Sequence, residues 1–348
     1  MSKRKASSGN GGDVVSVQDG NRFWGGSSGR WAGEQLLKAL QEGKPLTTSA
    51  LRTADTLRKN EWQEYDEALV SAALIRLRAV ADVIGAGLTR PITGGFGKTV
   101  YQYEKINNML PANVSIDGMA KTENDRQEFT IAGIPLPIIH KDFFLNLRTL
   151  LASRERGEAL DTTQVRMAGR VIAEKQESML FSGGPTFAGL PIYGLTNHPN
   201  INNVQFGSHG AWDLAACVGT DILADVLKAI TKLESVRMFG PYFVWVPTAY
   251  SVKLEDDFKT YASQTIRQRL ESISGIKSIR VADQCPAGKI VVCQATVETV
   301  AMVQGEPLQN IQWDIEGGFQ INFKAFTIGI PLIRADSEGR SGICTITA

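Results

Sequence analysis

The chain has 348 residues, 43% hydrophobic and 21% charged, enough for about two ordinary domains with a sizeable core. Lys plus Arg number 37 against 36 Asp plus Glu, a formal net charge of +1, so no global field draws it to nucleic acid and any contact with DNA should be local and weak. Cys217, Cys285, Cys293 and Cys344 fall into no metal-ligand spacing, no apolar run approaches the roughly 18 residues of a membrane span, and no apolar stretch follows Lys3, Arg4 and Lys5 as a secretory signal requires. Reduced thiols in a cytosolic protein are expected, with no cofactor and no membrane partner.

Met1 to Gly29 is dominated by Gly and Ser and cannot bury enough apolar surface to offset its ordering entropy. It is either a free tail or an arm docked on a neighbouring subunit. In the second case Phe23, Trp24 and Trp31 are the contact candidates. From Asn60 to Val83, Trp62, Tyr65, Leu69, Ala73, Leu77 and Val80 recur at helical spacing, predicting one helix with one buried face, ended by Gly85 and Gly87.

Thr99 to Ile106 and Gln127 to Ile139 read as strands joined through a polar, turn-rich segment, which predicts a long protruding ribbon. Pro135 and Pro137 donate no ladder hydrogen bond, so that part lies at an edge or beyond the sheet. A long helix is expected from Asp161 or Thr162 to Gly183, with Val165, Ala168, Ile172 and Met179 on its apolar side and Arg166, Arg170, Glu174 and Glu177 elsewhere. A polar loop follows over Asn197 to His209. Next come a helix over Thr220 to Val236, a strand over Tyr242 to Val246 and a helix over Thr248 to Asp257. Short strands close the chain, at Ser278 to Ala282, Lys289 to Gln294, Val300 to Gln304 and Gln320 to Ile328.

Gly94-Gly95-Phe96-Gly97-Lys98-Thr99 has the ending of a phosphate loop, but Ile92 stands where the first glycine is needed and β-forming Val100 to Tyr103 follows where a helix is needed. A hinge at the base of the ribbon is the better reading. His140, His198 and His209 are isolated from one another and from the cysteines. Glu123, Asp125 and Glu128 lie beside Lys121 and Arg126, and read as a solvated or intersubunit charge cluster before they read as an acid and base pair. An enzyme would need a site assembled only by the fold.

Several motifs together are familiar. Ser153-Arg154-Glu155-Arg156-Gly157, Leu160-Asp161, Ala168, Ala173, Glu177, Phe181-Ser182-Gly183 and Ile192-Tyr193-Gly194-Leu195 resemble the spine-helix region of encapsulin-like shell proteins. Glu61 to Glu67 resembles the encapsulin N-terminal helix, and Phe239-Gly240-Pro241-Tyr242 precedes a buried strand as it does there. The resemblance runs from about Leu51 to the C-terminus. It implies an α+β chain of the Hong Kong 97-like fold shared with tailed-phage major capsid proteins: an N-terminal arm (1–59), a peripheral domain (60–92 and 141–219), an extended loop (93–140), an axial domain (220–316) and return strands (317–348).

The Gly/Ser-rich start has no counterpart in the compact encapsulins and is common in phage capsid proteins. The expected function is therefore that of a major capsid protein, not an enzyme, forming hexamers and pentamers of an icosahedral shell around double-stranded DNA. The alternative is an encapsulin shell loaded with a cargo enzyme. Implied partners are the chain itself, portal and scaffold or cementing proteins, and packaged DNA through weak contact, in a virion assembled in the host bacterial cytoplasm. Tyr101 and Tyr103 on the ribbon, with Glu123, Asp125, Arg126 and Glu128 at its tip, are the intersubunit candidates there. Some relatives also join a ribbon lysine to a neighbour's asparagine. Lys98, Lys105 or Lys121 and Asn310 or Asn322 occupy the matching regions, although solvated lysines are the simpler reading.

Overall fold

A computed structural model of the chain describes residues 59–106, 114, 116, 129–156, 162–259, 264–315, 319–336 and 338–347. The single helix expected over Asn60 to Val83 is two, α1 (Lys59–Arg76) and α2 (Ala79–Gly85). The break has a cause far away in sequence. The Glu177 carboxylate accepts from the backbone N–H of Ala79 at 2.7 Å and of Val80 at 3.2 Å, taking donors that a continuous helix would direct to carbonyls four residues back.

The chain continues through β1 (Thr89–Pro91), a single 3-10 turn at Gly95–Gly97, β2 (Val100–Ile106), β3 (Phe129–Pro135) and β4 (Ile139–Asn146). The helix α3 (Leu147–Arg156) was not expected. The long helix is α4 (Thr163–Ser182), with Thr162 at its N-cap and Gly183 as its stop. Gly183 holds a φ of 77°, and a Cβ there would run into the Ile192 carbonyl, so only glycine fits.

Next come β5 (Gly184–Phe187) and β6 (Leu190–Ile192), a small hairpin, and then β7 (Asn202–Gln205) inside the expected polar loop. Its polarity is structural: Asn202 Nδ2 donates to the carbonyls of Ser341 at 2.8 Å and Ile343 at 3.1 Å, tying the strand to the chain end. After α5 (Gly219–Ser235) and β8 (Tyr242–Pro247), the expected helix over Thr248 to Asp257 shrinks to a 3-10 turn and α6 (Ser251–Leu254). Thr265 and Gln268 form a capping box on α7 (Ile266–Glu271).

The last strands are β9 (Ile276–Ala282), β10 (Ile290–Gln294), β11 (Val300–Ile315), β12 (Gln320–Ile333) and β13 (Ile343–Thr347). β11 and β12 run well past their expected ends. Gly305 and Pro307 read as punctuation, yet a Cβ on Gly305 would meet Ile328 Cγ2 at 2.9 Å, so the glycine permits close strand approach instead of ending the strand.

The strands form a four-stranded sheet in the order β1-β11-β12-β4, a five-stranded sheet in the order β7-β13-β10-β8-β9, and two separate two-stranded pairs, β2-β3 and β5-β6. In the five-stranded sheet, β7 runs parallel to β13 and β9 parallel to β8, whereas β10 is antiparallel to both its neighbours. Its side chains alternate between two cores. Val244, Val246, Ile290, Val292, Cys344 and Ile346 pack with Ile222, Val226 and Leu233 of α5. Phe243, Trp245, Val291, Cys293 and Ile343 pack with Val80 and Val83 of α2 and Leu180 and Phe181 of α4. All six residues of β8 are buried, which is why Tyr-Phe-Val-Trp-Val-Pro shows no polar alternation.

The described residues divide into two compact units, one of 59–63, 142–156, 310–315 and 319–324 and one of the remainder. In the first, Phe143 stacks on Phe323 at 5.1 Å and Trp62 meets the same ring edge-on at 6.2 Å. Lys324 lies 5.8 Å over the Trp313 ring and 3.5 Å from Asp142 Oδ2. The second holds both faces of the five-stranded sheet and the ribbon.

Candidate assembly interface

The ribbon rises from a packed base. Gly94, at a φ of 72°, turns the chain into the Gly95–Gly97 turn, and a Cβ on Gly95 would lie 2.7 Å from the Gly305 backbone. Phe96 meets Phe326 edge-on at 5.3 Å. The glycines expected to act as a hinge therefore serve close docking against β11, and β2 follows directly, with none of the helix that a phosphate loop requires.

β2 and β3 pair antiparallel from Val100↔Pro135 to Ile106↔Phe129, with Pro135 at the end of the ladder. Tyr101, Tyr103, Ala132 and Ile134 share one face by strand alternation, and the two tyrosine rings stack at 6.5 Å and 21°. Tyr103 is engaged within the subunit. The Arg334 guanidinium lies 5.1 Å over its ring and donates through Nη2 to the Glu104 carbonyl at 3.0 Å. Burial raises the Tyr103 phenol above its usual range, and Arg334 pulls it partly back. Both tyrosines keep part of their surface open.

On the opposite ribbon face Ile131 is 67% exposed, an apolar side chain on a two-stranded edge. Nothing local marks it as exposed, because an isoleucine in a strand has the sequence signature of core. Ile75 and Val252 on helices and Phe239 in a loop are exposed as well. Phe23, Trp24, Trp31, Lys121, Glu123, Asp125, Arg126 and Glu128 lie outside the described residues, as does the side chain of Lys105. Lys98 is exposed, whereas Asn310 is fully buried and Asn322 pairs with Gln320 at 2.8 Å.

The body behind the ribbon is joined by buried carboxylates. Glu177 of α4, expected on a polar side, is 1% exposed and binds the α2 amides. Its carboxyl is raised to about 6, by burial first and by Asp82 in addition, with the amides of Ala79, Val80 and Arg78 opposing. Asp82 of α2 accepts from Trp245 Nε1 at 3.2 Å and pairs with Arg280 Nε at 2.9 Å, and burial pushes its carboxyl up as well. Two helices, α4 and α2, and two strands, β8 and β9, are thereby tied through two acids.

Asp225 is likewise buried, accepting from Trp212 Nε1 at 3.0 Å and the Gly207 N–H at 3.1 Å, with His209 Nε2 at 3.2 Å. The four thiols are free and buried. Burial pushes Cys217 up to about 11 and Cys285 and Cys344 to about 12, and Cys293 above its usual range, so they remain protonated at neutral pH. Among the described residues no cluster of His, Cys, Asp or Glu is arranged to hold a metal, and no helix is long and apolar enough to cross a membrane.

A family of unknown function, DUF6260, matches residues 50–344. The chain is 28% identical over 220 residues to the Type 1 encapsulin shell protein EncA of Myxococcus xanthus (strain DK1622), covering 61% of this chain and 69% of that protein. It is similar in structure to the virus-like particle from Pyrococcus furiosus, with a TM-score of 0.53 at 15% identity over 82% of this chain and 98% of that one. The capsid of Myoviridae phage XM1 gives 0.55 at 13% identity over 75% and 90%. The fold is the α+β Hong Kong 97-like capsid fold, as the motifs implied, and in sequence the chain is similar to an encapsulin shell protein.

Proposed function

The chain belongs to the DUF6260 family, and from its shell-protein fold we propose that it is the major capsid protein of a tailed bacteriophage or prophage. It assembles into hexamers and pentamers of an icosahedral shell around double-stranded DNA, first in the host cytoplasm and finally as the virion, completed by portal and scaffold or cementing proteins. The ribbon carries this reading: two strands with no third paired to them among the described residues, bearing an exposed Ile131, are a surface made for another copy of the chain.

In this assembly residues 93–140 are the extended loop laid over a neighbour, 60–92 and 141–219 the peripheral domain, 220–316 the axial domain, and 317–348 the returning strands. The segment before residue 60, with Phe23, Trp24 and Trp31, is the arm that docks on neighbours. The function is assembly and not turnover.

Negative-stain electron microscopy of the protein expressed alone, with a gel and absorbance spectrum of sedimenting particles, tests it. Capsomers, tubes or large shells without cargo protein are expected. A compact monomer in every assembly condition sinks the reading. The EncA likeness favours a second reading, an encapsulin loaded through a cargo peptide. An apolar groove of about 150 Å³ between α1, α2 and α4, lined by Val70, Leu74, Leu77, Ile84 and Ile172, suits such a peptide. Small closed shells holding a second protein would establish that reading instead.

A further inference from the structure

At one end of the five-stranded sheet, three lysines converge without an acid among them. Lys228 and Lys232 are one turn apart on α5 and share a face. Lys289 precedes β10, whose first residue pairs with Ile346, so Lys289 comes alongside Thr347 at the end of β13. With Asn203 and Thr345 they line an open depression of about 770 Å³, and no Asp or Glu contributes to its lining.

The charges are uncompensated. Lys228 Nζ donates to the Gln205 carbonyl at 3.1 Å, which uses one of the three ammonium protons. Neither Lys232 nor Lys289 has an ion pair among the described residues. Asp225, three residues before Lys228, is turned inward and committed to Trp212, Gly207 and His209. Asp221 accepts from the Val218 N–H at the far end of the helix. Two like charges at i and i+4 repel, and the negative end of the α5 dipole eases only Lys232, in the last turn. An anion bound here would relieve that repulsion.

We propose that this patch binds the phosphate backbone of a nucleic acid. The inference rests on the capsid reading for its partner, and the patch supplies the local contact that a chain of net charge +1 needs if it is to touch DNA at all. The lining contains no aromatic ring, so bases have nothing to stack on and binding is blind to sequence. The Thr345 hydroxyl donates to Asn203 Oδ1, which leaves Asn203 Nδ2 and the Thr347 hydroxyl as further donors to phosphate. One subunit binds weakly, and repetition over a shell multiplies the effect.

Fluorescence anisotropy of the full-length, unassembled protein with a random-sequence DNA duplex, over a salt series, tests the site. Three phosphate contacts give a slope of log affinity against log salt of about −2.7, and each lysine removed lowers its magnitude by about 1. The triple variant K228Q/K232Q/K289Q should bind at least about tenfold more weakly at low salt, and the singles should fall between. Lys3, Arg4 and Lys5 remain in every variant, so their contribution stays in the baseline.

A triple variant that binds like the wild type, or a wild-type slope near zero, overturns the proposal. So does equal competition by polyglutamate, which would reassign the patch to an acidic protein partner. Electron microscopy of the same proteins under assembly conditions separates the two readings: capsomers, tubes or shells with a flat salt slope refute the patch alone, and a compact monomer in every assembly condition refutes the capsid while the slope still reports on the lysines.

Discussion

The five-stranded sheet and the ribbon are built from similar residue types and use them in opposite ways. In the sheet, β8 is buried along its whole length and both faces are covered. Glu177, Asp82 and Asp225, on the helices packed against it, each find donors. In the ribbon there is one ladder, one cation over one tyrosine, and an isoleucine open to solvent. The first region holds itself together, because its buried carboxylates have partners, even though Ser278 Oγ on β9 and His209 Nδ1 have none. The second is held within the subunit by its base, by Arg334 and by β6 near Gly133, and in the proposed shell its remaining stabilisation comes from neighbours. Stability and assembly should therefore separate by mutation.

The largest effect is expected in the body. Glu177→Ala leaves the Ala79 and Val80 amides without acceptors in a buried site, at a cost of about 3 kcal/mol. Chemical denaturation of the unassembled protein reads this as a lower midpoint at unchanged slope. A variant as stable as the wild type would mean that the helix break has another cause.

The same acid sets a pH dependence. Its pKa rises from the usual 4.5 to about 6 in the folded protein, so between these values the native state holds more protons than the unfolded one. Its contribution is fully present below about 4.5 and is lost as pH rises through 6, a difference of about 2 kcal/mol at 1.36 kcal/mol per pH unit. Asp82 is shifted in the same direction, so some of the trend survives without Glu177. The wild type should gain about 2 kcal/mol relative to Glu177→Gln as pH falls from 7 to 4.5. Parallel stability curves for the two proteins would contradict this.

Much of the body was legible in sequence. Helical spacing located α4 and α5 to within about two residues, and the motif order around α4 carried the fold family, which the similarity to capsid and encapsulin shells bears out. What escaped depends on partners distant in the chain. Glu177 sits among Glu174 and Lys175 and reads as solvated, because its amide donors lie almost a hundred residues earlier. β7 reads as a loop because its polar residues satisfy carbonyls near residue 342. The ribbon was legible as two strands through β-forming residues and flanking glycines, but the anchor Arg334 was not, since nothing local marks an arginine that crosses to Tyr103. The lysine patch is of the same kind, with two members from a helix and one from a distant turn.

Arg334→Ala removes a cation over a ring and a hydrogen bond to Glu104, both partly exposed, and should cost the subunit about 1 kcal/mol. The loss of assembly should be larger than that cost suggests, because the ribbon base is no longer held in one direction. Arg334→Lys keeps the charge without the planar stacking and should fall between the two in particle yield.

The smallest effect on stability, and the sharpest separation, belongs to Ile131→Asp. The side chain is 67% exposed on a ribbon with no strand beyond it, so the subunit should unfold within about 0.5 kcal/mol of the wild type. Burying an aspartate against a neighbour would leave a charge without a partner, so particles should fail to form or should fall apart at lower denaturant. Sedimentation of the assembly mixture alongside subunit denaturation reads both at once. Normal particles from this variant would remove Ile131 from the interface and leave the tyrosine face to carry the ribbon contact. A destabilised subunit would instead show that the ribbon contributes to its own fold, erasing the distinction between the two regions.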